Sequence, residues 1–288
     1  TGFKAPTVGQ SNVINVTTAY GVNGLEDQAT LPPTDLISLQ LGATPLTPEE
    51  SVNFSLGMVM QASDNFFATL DYFNIRLSDR ISTTSAIPLT EQDISALVAQ
   101  GRPDAVKYNA AKYFTNDFDT KTQGVDLVVN YSFSYNDWAN ALLLAYNWTD
   151  TQVERLTLYP ALVNDEMQLL PNLTPSRIRM LEDNLPAHRG SVTLEQVKDN
   201  WALTWRLNYY GEFYEDHLDA SAGMDIYGSA LTTFDAQLAW KVQPHIQLTL
   251  GAQNLFDALP DENPFQGEVG ALYPPTSPGG INGAFYYA

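Results

Sequence analysis

Along residues 232–257 apolar and polar side chains take turns. Phe234, Ala236, Leu238, Trp240 and Val242 alternate with Asp235, Gln237, Ala239 and Lys241, and Ile246, Leu248, Leu250 and Ala252 alternate with Gln247, Thr249, Gly251 and Gln253. A period of two puts each set on its own face of a strand. Gln243, Pro244 and His245 supply turn chemistry between the two arms, so the stretch predicts a hairpin with one apolar and one polar face. The alternation recurs at 51–62 (Val52, Phe54, Leu56, Met58, Met60), at 125–133 (Val125, Leu127, Val129, Tyr131, Phe133), at 138–155 (Leu142, Leu144, Tyr146, Trp148), at 188–197 and at 201–211 (Trp201, Leu203, Trp205, Leu207, Tyr209). It fails at 66–81, where Phe66, Leu70 and Tyr72 oppose Phe67, Phe73 and Ile75. That stretch predicts a bulge, or an inner face covered by other parts of the chain.

The connections between these strands sort by length. Turns at 63–65, 134–137, 198–200 and 243–245 alternate with long loops at 7–45, 82–119, 156–187, 212–230 and 257–284. One loop carries a predicted short helix at 90–100, with Thr90 placed to cap it and Ile94, Leu97 and Val98 sharing a face. Short turns at one end and long loops at the other are the signature of an antiparallel transmembrane β-barrel with periplasmic turns and extracellular loops, and a β-sandwich has no reason to sort its loops this way. A strand of about 12 residues spans roughly 40 Å, which at a 45° tilt covers about 28 Å, close to a bilayer's hydrocarbon thickness. Phe133, Trp138 and Trp201 fall near the turns, and Tyr146, Trp148 and Tyr209 toward the loops, as two interfacial girdles require.

Composition narrows the classes. Hydrophobic residues make up 44% and aromatic residues 11%, enough to exclude a disordered chain. The 14 Lys and Arg against 33 Asp and Glu give a formal charge of -19, which excludes nucleic acid as a partner and leaves no polybasic surface for anionic lipid. There is no cysteine, hence no disulfide, thiolate nucleophile or cysteine-based zinc site. No run approaches the roughly 18 apolar residues of a transmembrane helix, so insertion into a membrane must be by strands. The chain opens on Thr1 without a charged-then-apolar leader, which leads us to expect a processed chain or a fragment.

Seven stretches, GFKAPT at 2–7, LTPEESVNFSLG at 46–57, LDYFNIRLSDRI at 70–81, TQGVDL at 122–127, LPAHRGSVTL at 185–194, GAQNLFDALP at 251–260 and FYYA at 285–288, resemble the C-terminal barrel region of TonB-dependent outer-membrane receptors. Each is degenerate, and their order and spacing make the match specific. The resemblance implies that residues 1–288 are a single barrel segment, about the last third of a 22-stranded barrel that encloses a plug, with the plug, the TonB-contacting box and the final strand lying outside this chain. It further implies an outer membrane of a Gram-negative bacterium, contact with lipid and lipopolysaccharide, coupling to a TonB-type energy-transducing complex, and uptake of a scarce small-molecule solute. A ferric siderophore is the first expectation, with a corrinoid or a carbohydrate as alternatives.

Candidate site residues follow from this placement. Asp126, Asn130, Arg206, Asn208, Asp235, Gln237, Lys241, Gln247 and Gln253 are expected to face a hydrated lumen or the plug. Tyr210, Phe213, Tyr214, His217 and Tyr227 cluster in or beside one extracellular loop, where aromatic faces suit a solute. Glu215, Asp216, His217 and Asp219 are hard donors within five positions that a metal could exploit, although such a run is more often a solvated loop. His188 and Arg189 open a strand and read as architectural. No cofactor is expected. Catalysis is not expected either, since His188, His217 and His245 are scattered and no GxSxG motif is present. Two competing classes are a small passive outer-membrane pore or adhesin, which needs a native chain of this size, and a soluble β-rich binding domain, which would stay monodisperse without detergent.

Overall fold

The computed structural model describes residues 1–21, 24–84, 86–163, 166–171, 173–216 and 223–288. Ten strands form one sheet in which chain neighbours are sheet neighbours. They are β1 (Gly2–Lys4), β2 (Glu49–Ser63), β3 (Phe66–Thr83), β4 (Phe114–Tyr135), β5 (Trp138–Leu156), β6 (His188–Lys198), β7 (Trp201–Tyr210), β8 (Leu231–Gln243), β9 (Ile246–Gln253) and β10 (Phe285–Tyr287). This is the antiparallel up-and-down arrangement that the alternating pattern predicts, and among the described residues no helix is long and apolar enough to cross a membrane.

The four tight turns fall where the sequence puts them. Between β4 and β5, Asn136 and Asp137 both take positive φ (49° and 63°), the left-handed pair that matches a two-residue turn to the strand twist and that short polar side chains tolerate best. β8 runs one step further than expected, through Gln243, with a register shift between Lys241 and Gln243 before the turn at Pro244 and His245. β3 is unbroken over 18 residues. Its inner apolar residues are accommodated by a neighbour without a side chain: a Cβ at Gly124 would run into the Phe73 ring. The local irregularity sits at Asp79, where φ is 55°.

The long loops, expected to be irregular, contain elements of their own. The first compact unit comprises 1–53, 75–121 and 152–178. In it the hairpin Asn15–Gly21 with Gly24–Thr30 pairs in parallel with Ala110–Lys112, which pairs in turn with Ile87–Pro88. The predicted helix is present at Glu91–Ala99, and Thr90 closes a capping box with Asp93. Leu97 from that helix, Ile37 from Leu36–Gln40, and Leu31, Leu89, Ala29, Ala105 and Ala111 form a buried apolar core. Asp35 ties its rim together. One carboxylate oxygen caps Ile37 N at 2.9 Å and the other takes the Arg102 guanidinium at 2.6 Å. At the ends of β3, β4 and β5, Arg155 donates to both oxygens of Asp119 and to Asp79, each at 2.7 Å. The Arg155 guanidinium holds the Asp119 carboxyl below the usual carboxylate range. Two residues earlier, Asp117 is fully buried, neither carboxylate oxygen has a hydrogen-bond partner among the described residues, and burial pushes its carboxyl up to about 6 against the pull of Arg155.

The second unit comprises 54–74, 122–151 and 179–288. It holds most of the sheet and has few buried apolar side chains. Most of its large exposed hydrophobic residues lie on one face, with Leu56 at 66%, Leu248 at 55% and Leu250 at 58% exposure, while Val59 and Leu143 lie on the other.

Candidate functional site

Register decides which residues share a face, because side chains directly opposite one another in an antiparallel pair point the same way. One face carries unbroken apolar rows across the strands. Leu142, Leu194, Trp205, Ala236 and Ala252 form one, and Leu144, Val192, Leu207 and Phe234 another. Aromatic stacking reinforces the rows: Trp201 on Trp240 at 5.2 Å between centroids, Trp205 on Phe234 at 6.1 Å, and Phe234 on Phe256 at 5.5 Å. The apolar character stops near the turns, where Gln196 and Asn140 pair at 2.9 Å and the Trp205 indole N–H donates to Gln196 at 3.1 Å.

The opposite face is polar, and it collects the residues expected at the lumen. Arg206 stands opposite Asp235 and Thr193, Gln237 opposite Thr204 and Gly251, and Lys241 opposite Gln247. Gln253 lies two residues beyond Gly251 on the same side of β9. Side-chain bonds run along the face. Asn208 donates to Thr233 (3.2 Å) and to Asp235 (3.0 Å), Arg206 to Thr193 (3.1 Å) and Tyr287 to Gln237 (2.8 Å). Asp126 accepts from Asn147 at 2.7 Å, and Asn147 stands opposite Arg189, so the polar face extends to β4. Asn130, four positions along β4 from Asp126, lies on the same side.

Beyond the loop end of β7, the chain makes a second hairpin from Phe213–Asp216 and Asp225–Gly228. It brings Phe213, Tyr214 and Tyr227 together. Phe213 opposes Gly228, whose missing side chain leaves room for the ring, and Tyr214 opposes Tyr227 with ring centroids 5.3 Å apart. Arg179 lies over both tyrosine rings, 5.8 and 5.7 Å from their centroids, and donates to the Tyr227 hydroxyl, while the Tyr214 hydroxyl donates to Asp225. Glu215 points away from this cluster to accept from the Thr276 amide and hydroxyl, which fastens the last long loop. The Ser229 hydroxyl and amide beside Asp261 hold that carboxyl below the usual range. A cavity of about 610 Å³ opens on the hairpin, lined among others by Tyr209, Tyr214, Tyr227, His188, Asp183 and Glu212.

Tyr210 is not part of this group. It lies at the end of β7 opposite Arg189 and Leu231, in a smaller depression of about 400 Å³ that also takes in Asp126, Asn147 and Asn208. His217 and Asp219 fall outside the described residues. Among the described residues no group of three or more His, Cys, Asp or Glu stands together as a metal site. Sequence reasoning passed over Arg179, Asp183, Glu212 and His188 as site residues. His188 meets Tyr146 (Nδ1 to hydroxyl, 2.7 Å) only because the β5–β6 register sets it beside Trp148 and near that tyrosine. Arg179 comes from a loop helix, Pro175–Glu182, with no periodic signal long enough to read.

The structure is similar to the outer membrane transporter YddB of Escherichia coli (11% identity, 75% of this chain and 30% of that one, TM-score 0.47). It is also similar to the ferric yersiniabactin uptake receptor FyuA of Yersinia pestis (17%, 75% and 26%, 0.47) and to the FrpB iron transporter of Neisseria meningitidis (13%, 73% and 27%, 0.49). The chain thus spans between a quarter and a third of the length of each of these proteins. No curated protein matches it. Residues 1–255 match the family model for the TonB dependent receptor-like β-barrel, and the chain belongs to that family.

Proposed function

We propose that this chain is the wall of an outer-membrane receptor that takes up a scarce solute under the drive of a TonB-type energy-transducing complex. The observation that carries the reading is the exposed apolar face of the second unit, with its rows of Leu, Val, Trp and Phe. A face of that extent is unstable in water and needs lipid against it. Its aromatic ends fit the two interfaces: Trp138 and Trp148 are ten positions apart on β5, roughly 33 Å along the strand and about 23 Å at a 45° tilt. β4, at 22 residues, would reach roughly 73 Å, or about 50 Å tilted, well past a hydrocarbon core of about 30 Å. Its first residues, including Asp117 and Asp119 at the loop end, therefore stand in the extracellular layer.

The polar face, with Asp126, Asn130, Arg206, Asn208, Asp235, Gln237, Lys241, Gln247 and Gln253, faces the lumen and the receptor's plug, and the outer face contacts lipid and lipopolysaccharide. Residues 1–288 serve as one barrel segment whose loops carry the first unit. The solute enters at the extracellular hairpin, where the exposed Tyr227 contributes to capture above the buried Phe213 and Tyr214, with Tyr210 and His217 as further candidates along the chain, and an iron chelate is the first candidate. The reading assigns no catalytic residue and no resident cofactor.

The test is uptake of radiolabelled iron chelates by cells expressing the whole receptor, with the inner membrane energised or collapsed by an uncoupler. Uptake that requires both the receptor and the energised membrane supports the reading. Receptor-dependent entry that survives the uncoupler would make the protein a passive pore.

A further inference from the structure

The smaller depression, of about 400 Å³, lies on the polar face at the loop end of the wall. On each of four neighbouring strands it is bordered by two alternate residues of that face, 126 and 128, 145 and 147, 189 and 191, 208 and 210. Leu144, Trp148, Val192 and Leu207, which would border an opening on the apolar face, do not line it. Arg189 stands between Asn147 on β5 and Tyr210 on β7, and the small side chains of Ala145 and Ser191 in the next row make the hollow beside it.

The donors here divide into two groups. The amides are already used, since Asn147 donates to Asp126 and Asn208 to Thr233 and Asp235. The Arg189 guanidinium and the Ser191 and Tyr210 hydroxyls have no partner among the described residues, although all three residues are half-buried. This is not for want of acid in the chain: Asp and Glu number 33 against 14 Lys and Arg, and Arg102 and Arg155 each hold two carboxylates while Arg189 holds none. A half-buried guanidinium gives up hydration, and here no counterion of the protein replaces it.

Resting on the uptake reading above, we propose that Arg189, with Tyr210 and Ser191, binds a carboxylate of the solute at the loop end of the lumen. The planar fork of a guanidinium matches the two oxygens of a carboxylate, and the hydroxyls can donate to the lone pairs that remain. Asp126 is the one carboxylate among the described lining residues, and it limits the charge that fits. It lies two strands from Arg189, about 10 Å across the sheet, and repels a second negative charge on that side. The site therefore selects a solute that inserts a single carboxylate. Its position suits entry from outside, because Arg189 is the second residue of β6 and Tyr210 the last of β7, just before the extracellular hairpin.

The experiment titrates benzoate and benzamide, alike in shape and different in charge, against the whole receptor in detergent by saturation-transfer NMR. Benzoate should bind about tenfold tighter than benzamide. The preference should vanish in Arg189→Gln and return in part in Arg189→Lys, which restores the charge without the fork. It should persist in Lys198→Gln, which removes a cation at the turn end of the same strand. Arg189 has no partner among the described residues, so its replacement breaks no bond of the fold. Equal binding of the two probes, binding of neither, or a preference that Arg189→Gln leaves intact would each overturn the proposal. No benzoate binding together with a lower melting temperature in Arg189→Gln would give Arg189 to a carboxylate of the plug, and so overturn the solute site. Uptake that survives the uncoupler would sink the transport reading and leave a measured carboxylate preference standing; energised uptake without that preference would sink this proposal alone.

Discussion

The two compact units solve the burial problem in opposite ways. In the first, Leu31, Ile37 and Leu97 are all within 1% of full burial, helix ends are capped, and a buffered pair of charges, Arg102 on Asp35, closes the rim. That is the construction of a water-soluble domain, with its apolar groups inside. In the second, Leu56, Leu248 and Leu250 are more than half exposed and the polar residues occupy the opposite face. The same chain thus builds one unit that encloses a core of apolar side chains and another that leaves large apolar side chains exposed on a sheet face. The difference teaches that "buried" has two meanings here, against the protein itself and against lipid.

Mutations that respect this difference should behave differently in the two units. The largest expected effect is in the soluble-type core: Leu97→Ala should cost the first unit about 2–5 kcal/mol, because a fully enclosed side chain leaves a cavity. Amide hydrogen exchange over residues 91–99 reads it, and unchanged protection would show that the core does not hold that unit. Next, Leu144→Arg or Leu207→Arg on the apolar face, midway in depth between Trp138 and Trp148, should cost roughly 2–4 kcal/mol of membrane folding, while Gln247→Arg on the polar face costs little. Equilibrium refolding into vesicles distinguishes them, and equal losses at all three positions would contradict the assigned faces.

Charge sharpens the comparison further. Asp117 is buried without a hydrogen-bond partner among the described residues, and its folded carboxyl titrates near 6, above the ordinary 3.8. The folded form therefore holds the proton better than the unfolded one. The contribution of Asp117 to the first unit's stability should be largest below about pH 4, fall as pH rises through 6 and change little above that, opposed by Asp119 and Asp93, whose lowered carboxyls lose their stabilisation as pH falls. Asp117→Asn should flatten this dependence, whereas a profile unchanged by the substitution would place the titrating group elsewhere. The smallest effect is at the helix cap, where Thr90→Ala should cost about 0.5–2 kcal/mol, read as earlier exchange in the first turn of Glu91–Ala99.

What the sequence made legible tracks the length of the periodic signal. Alternation over ten or more residues named the wall strands, their faces and their turns, and the capped helix after Thr90 was readable because Thr90, Ile94, Leu97 and Val98 are all local. The loops were read as irregular because their strands are short: Phe213–Asp216 and Asp225–Gly228 offer four residues each, too few for a period to register. Their pairing depends on Gly228 making room for Phe213, a fact of three dimensions. The same holds for β3, where the Phe73 ring takes the space that Gly124 leaves free. At the candidate site, the aromatic residues were visible as a cluster in one loop. Arg179, Asp183 and His188 were not, since they arrive from the preceding loop and from a neighbouring strand.

The absence of cysteine from the chain gives direct access to the central claim, that one face of the wall meets lipid and the other meets water or protein. Single cysteines at Leu203, Leu248 and Leu250, and at Arg206, Gln237 and Gln247, can each carry a nitroxide label in the whole receptor reconstituted into vesicles. Collision rates with oxygen and with a water-soluble nickel chelate then report the surroundings of each label. The account predicts high oxygen and low nickel accessibility at the first three positions and the reverse ordering of the ratio at the second three. Indistinguishable ratios across the two sets, or nickel access at Leu203 and Leu248, would contradict it.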